Sequence, residues 1–138
     1  MAPINISKTT APHAISYAMT TRYGVPHGIA VALTLAPMLQ HNATITDSDC
    51  SDPRGAGAVR RRIALILESL DAKSPEHGAR KIQALMERIG VPLRLSEVGI
   101  RGEEAIRWLA KEVNVERLSN NPRTMATETI ENLLKNIG

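Results

Sequence analysis

Apolar residues recur at helical spacing along most of this chain, and nowhere do they alternate as in a half-buried strand. Thr9 and Thr10 are candidate caps for a first helix that runs to about Tyr23, where Gly24 is a natural stop. Pro26 suits the opening turn of a second helix, through Gly28, Ile29, Ala30, Val31, Ala32 and Leu33 towards Gln40. That helix is apolar nearly all round, which places it inside a bundle. Residues 42–57 hold Asp47, Ser48, Asp49, Ser51, Asp52, Pro53 and two glycines, and read as a surface loop and the most mobile stretch.

Amphipathic helices follow. Val59, Ile63, Ile66, Leu67 and Leu70 mark one stripe. Ser74, Pro75 and Glu76 open the next, with Ala79, Ile82, Leu85, Met86 and Ile89 on one face and Gly90 at its end. A third begins near Gly102, with Glu103 and Glu104 in its first turn, where acid suits the helix dipole. A last helix starts near Thr127 and carries Ile130, Leu133, Leu134 and Ile137. The expectation is an all-α bundle of about five or six helices forming a single domain over residues 1–138.

Composition sharpens this picture. Aromatic residues are 2% of the chain, with no Phe, so the core must be aliphatic. The net charge of +3 is mild, and Arg60, Arg61 and Arg62 point about 100° apart on a helix, with no interleaved aromatic for base stacking. A solvated helix face is the expectation, not a nucleic-acid site. Cys50 is the only cysteine, which excludes an internal disulfide and fits a reducing cytoplasm. The opening Met1 to Lys8 lacks the apolar core of a signal peptide. The most apolar run, Ile29 to Leu39, falls short of the roughly 20 residues that span a bilayer, so no membrane partner is expected.

The chemistry-bearing candidates are His13 and His27, each near a predicted helix start. By itself the pair is a weak metal signal, and ordinary surface or core histidines are the commoner reading of such a spacing. Geometry permits a shared ion. A helix from His13 to Tyr23 advances about 15 Å, and the link Gly24-Val25-Pro26 is long enough to double back over much of it. His41 and His77 read as solvated, and Trp108, off the stripe of Ile106, Leu109 and Val113, as partly buried between elements.

Residues 9–33 resemble the signature of the iron-containing (group III) alcohol dehydrogenases. The telling parts are His13-Ala14 and the run Tyr23-Gly24-Val25-Pro26-His27-Gly28, at the family's spacing. The stretch from Ile89 to Ile100 is similar to a later helix link of that family, and Asn121-Pro122-Arg123 to its usual ending. The resemblance implies a helical carboxy-terminal domain that holds Fe²⁺ or Zn²⁺ through one Asp and three His, with His13 and His27 matching the last two ligands. It also implies an NAD(P)-binding domain and a small alcohol or aldehyde substrate, whose oxygen the metal polarises during hydride transfer.

The departures matter as much. No Asp-x-x-x-His ligand pair and no phosphate-cradling glycine loop can be read here, so the nucleotide-binding domain is expected to be absent. Many members carry another His four residues beyond the position of His13; here it is Tyr17, a candidate lining residue of the substrate cleft. Ser-Tyr at this point is similar to reductases of phosphonoacetaldehyde type. Residues 1–46 contain no Asp or Glu, and both histidines face the positive ends of helices, so a carboxylate ligand must come from elsewhere. The expectation is therefore a metal-ligand-bearing fragment of an NAD(P)-dependent alcohol dehydrogenase or aldehyde reductase, inactive alone. Its rival is a non-catalytic helical binding module on the same scaffold. A homo-oligomer or partner chain covering residues 9–40 is expected, because the apolar second helix would otherwise stay partly wet.

Overall fold

The structure, a computed structural model, describes residues 9–138. The leader reading of Met1 to Lys8 lies outside them. Among the described residues seven α-helices run in order as α1 (Ala11–Tyr23), α2 (His27–Ala43), α3 (Ala56–Ser69), α4 (Pro75–Arg88), α5 (Glu103–Glu112), α6 (Val115–Leu118) and α7 (Thr127–Lys135). A 3-10 turn at Leu95–Val98 precedes α5. Among the described residues there is no strand, only an isolated antiparallel bridge between Cys50 and Arg123. The helix beyond the expected number is α6, a single turn. No described helix is long and apolar enough to cross a membrane.

The ends of α1 follow from local chemistry. Thr10 occupies the capping position without a side-chain bond, and Pro12 sits in the first turn. Gly24 closes the helix at φ 65°, a left-handed conformation that favours glycine, and its N–H donates to the Thr20 carbonyl. Pro26 then caps α2 with extended backbone. Ser74 caps α4 as expected, its hydroxyl accepting from the His77 N–H at 3.1 Å.

The main core joins α1, α2, α5 and α7. Ile15 and Met19 of α1 meet Leu33 and Met38 of α2, Leu109 of α5, and Ile130 and Leu134 of α7, all within one cluster with Leu95 and Ile100. Each such side chain contributes roughly 1.5–3 kcal/mol by leaving water. A satellite cluster of Ile45, Ala56 and Val59 seats the start of α3.

Beyond that point the stripes of α3 and α4 emerge into solvent. Val59, Ala79 and Met86 are buried, but Ile66, Leu85 and Ile89 are exposed, Leu85 and Ile89 by 56% and 65%. Helical spacing marks a face that can be buried; no described element covers these positions. The opposite holds for α2, whose apolar run from Ile29 to Leu39 is buried or half-buried except at Leu35.

The loop of residues 44–55, within the stretch 42–57 read as a surface loop, is tied to the segment before α7 by hydrogen bonds. Ser51 N–H donates to the Pro122 carbonyl at 2.9 Å, and Thr124 N–H to that of Asp49 at 2.8 Å. The Arg123 guanidinium donates to Asp49 Oδ2, the His41 carbonyl and Thr44 Oγ1 at 2.7, 2.6 and 2.7 Å. Asn121, fully buried, exchanges amide hydrogen bonds with Asn42. A buried amide needs such partners to offset lost hydration.

Candidate metal centre

His13 lies in the first turn of α1, and His27 is the first residue of α2. Their ring centroids are 5.3 Å apart. The link Gly24–Pro26 therefore folds back along α1, as its length allows, with Val25 buried beneath it. Tyr17, one turn beyond His13, places its ring 5.5 Å from that of His27. The three side chains share one edge of the bundle, with His27 and Tyr17 exposed and His13 partly covered.

Ser16 decides which His27 nitrogen is free. Its hydroxyl is buried, donates to the His13 carbonyl at 2.8 Å, and lies 3.2 Å from His27 Nδ1. A serine has one proton to give. With that proton on the carbonyl, Ser16 Oγ accepts from His27 Nδ1–H, so Nε2 carries the lone pair. An imidazole anchored at one nitrogen presents the other to a metal.

His13 is harder to protonate than a free imidazole. Burial lowers its pKa from the usual 6.5, and the neighbouring His27 lowers it further. Two imidazoles at this separation suit a borderline divalent ion such as Zn²⁺ or Fe²⁺. Protein sites for such ions take more donors than two. Neither α1 nor α2 has an acidic residue in its first turn, and no group of three or more His, Cys, Asp or Glu converges among the described residues. The donors fit such an ion, but a carboxylate is needed to offset the field of two helix amino-termini.

The other histidines lie apart. His77, half-buried, accepts at Nδ1 from the Lys73 N–H. His41 is not solvated as expected: its Nε2 is buried without a partner among the described residues, because α2 is covered along its last turns. Burial lowers its pKa, Arg123 lowers it further, and Asp49 opposes both. Trp108 is partly buried as expected, with the Arg22 guanidinium 4.1 Å from its ring. Two residues of the site escape a reading by sequence pattern. Ser16 shows in the sequence only as half of the Ser-Tyr pair, with nothing to mark its hydroxyl as a partner of His27. Arg117, whose guanidinium carbon lies 4.0 Å from the centre of the Tyr17 ring, is far away along the chain.

Phosphonoacetaldehyde reductase of Streptomyces viridochromogenes is 33% identical over 132 residues, covering 95% of this chain and 32% of that protein. Lactaldehyde reductase of Escherichia coli is 25% identical over 122 residues, 88% of this chain and 30% of its own length. The chain thus spans about a third of the length of these relatives. Among solved structures, an alcohol dehydrogenase from Oenococcus oeni matches in fold with a TM-score of 0.67 at 23% identity, over 94% of this chain and 32% of its own. A 1,3-propanediol oxidoreductase matches with a TM-score of 0.65 at 22% identity, over 92% of this chain and 32% of its own. The model of the Fe-containing alcohol dehydrogenase family, C-terminal, matches residues 1–138, and the chain belongs to that family.

Proposed function

We propose that this chain is the metal-ligand-bearing part of an NAD(P)-dependent, divalent-metal-dependent alcohol dehydrogenase or aldehyde reductase. The observation that carries the reading is the His13–His27 pair with the Ser16 hydroxyl behind it. His13 and His27 would hold Fe²⁺ or Zn²⁺, and Tyr17 would line the substrate cleft beside them. A metal bound there supplies Lewis acidity to the oxygen of a small alcohol or aldehyde. The chain's own residues supply two imidazole donors and hold the His27 ring through Ser16. The carboxylate ligand, the remaining histidine and the dinucleotide site lie outside these 138 residues on this reading, and the working compartment is the cytoplasm.

It follows that the chain alone neither binds dinucleotide nor oxidises alcohols. Fluorescence titration with NADH and NADPH, and assays of small primary alcohols with added Fe²⁺ or Zn²⁺, test this directly. Saturable dinucleotide binding at micromolar concentration would overturn the division of labour. A second reading, a non-catalytic interaction module on the same scaffold, is favoured by one observation: the exposed Leu65, Ile66, Leu85 and Ile89 of α3 and α4. Co-expression with a nucleotide-binding domain of the family separates the two, since the enzyme reading requires activity to appear.

A further inference from the structure

Arg117 stands beside the histidine pair, and its guanidinium makes no hydrogen bond among the described residues. Its guanidinium lies over Tyr17 at 4.0 Å, and that ring lies 5.5 Å from the His27 ring. The side chain is exposed, and none of the ion pairs among the described residues includes it. Arg54, Arg107 and Arg123, in contrast, each face a carboxylate. A guanidinium over an aromatic face uses its flat side, while its N–H donors project from the edge in a fork that matches a planar or tetrahedral oxyanion.

The helix ends at the histidines have the same sign. Two helix amino-termini meet at the histidines, and residues 1–46 contain no acid. A neutral alcohol has no use for this field, whereas an anion is drawn into it. Distances set the size of that anion. The two ring-to-ring steps keep the guanidinium within about 10 Å of the His27 imidazole. A two- or three-carbon acid spans roughly 4–6 Å from its hydroxyl or carbonyl oxygen to its acid oxygens. About 2 Å for a metal–oxygen bond and about 2.8 Å for a charged hydrogen bond bridge the rest.

We infer that Arg117 is a substrate-binding residue that selects small aldehydes or alcohols carrying a phosphonate or carboxylate at the end remote from the reacting carbon. The inference rests on the metal-site reading of His13 and His27 only for where the reacting end lies; recognition of the acid needs Arg117 and Tyr17 alone. Tyr17 then has a second task, holding the guanidinium at a fixed height above the cleft.

The test is a titration of the full chain, with and without Zn²⁺, followed by the Arg117 Nε–H and Tyr17 ring resonances. The probes are 2-hydroxyethylphosphonate, 3-hydroxypropanoate and the neutral 1,3-propanediol. At least one acid is expected to shift both signals saturably, and the tighter acid identifies the preferred head group; the diol should shift neither. Arg117→Gln should weaken acid binding about 10-fold or more, with Arg117→Lys between it and the parent, because a lysine keeps the charge and loses the fork. Neither change should alter the Zn²⁺ affinity of the histidines. Equal response to acids and diol in the parent chain, or equal loss of both in Arg117→Gln, would overturn the inference. Failure of the metal reading shows separately, as absent Zn²⁺-dependent shifts of His13 and His27 while the acid shifts persist.

Discussion

Removing the Arg123 side chain is the most informative perturbation of the scaffold. Arg123→Ala deletes three short hydrogen bonds, to Asp49, the His41 carbonyl and Thr44, that tie the loop of residues 44–55 and the end of α2 to the segment before α7. Hydrogen bonds to charged groups contribute about 1.5–3 kcal/mol each when well shielded. Here Arg123 and Asp49 side chains are 21% and 26% exposed, so water recovers part of each bond. A net loss of about 2–3 kcal/mol is expected, a melting decrease of roughly 6–12 °C for a chain of this size. Arg54→Ala is the control. That residue forms an ion pair of similar length, 2.6 Å to Asp52, but two positions away and half exposed, so its removal should leave the melting temperature almost unchanged. Arg123→Lys should recover less than half, since one ammonium cannot serve three acceptors in a fixed plane. Urea and thermal unfolding of the three variants provide the comparison. Equal destabilisation by Arg123→Ala and Arg54→Ala would refute the reasoning that shielding and connectivity, not bond length, set the contribution.

Ser16→Ala should leave the fold intact yet weaken Zn²⁺ binding about 10-fold, because His27 loses the acceptor that fixes its tautomer; isothermal titration measures it. Stability should decline between about pH 6.5 and 5, before ordinary carboxylates titrate: His41 and His13 have folded pKa values below the unfolded value, so the unfolded chain takes up more protons there and gains on acidification. Asp52, lowered to about 2 first by its side-chain hydrogen bond from Arg54, acts only in stronger acid, and a urea midpoint that is flat from pH 7.5 to 5 would contradict the histidine assignment. If the chain self-associates through residues 9–40, Leu35→Lys should abolish it in sedimentation runs; abolition by Leu85→Lys instead moves the interface to α4.

Much of the bundle was legible because its signals are local. Gly24 terminates α1 and Ser74 caps α4 through contacts within a few residues, so pattern and cap chemistry suffice. The first block of the family resemblance likewise places His13 and His27 at helix starts, where they stand. What stayed hidden is long-range and polar. The Asn42–Asn121 amide exchange and the Arg123 clamp join residues some 80 positions apart, and no periodicity marks them. Arg117 is silent for the same reason: in sequence it is one basic residue of a short helix, and only packing lays it over Tyr17. The stripes of α3 and α4 illustrate the converse, since spacing predicts a face and not its cover.

The central claim is that His13 and His27 bind one divalent ion together. Zn²⁺ titration of the metal-free chain, followed by histidine ring NMR resonances with His41 and His77 as internal controls, tests it most directly. The account predicts that His13 and His27 move together with a single, weak midpoint, that the controls stay still, and that His13→Ala or His27→Ala each abolishes the response of the other. Independent midpoints for the two rings, or binding that survives both substitutions unchanged, would contradict it.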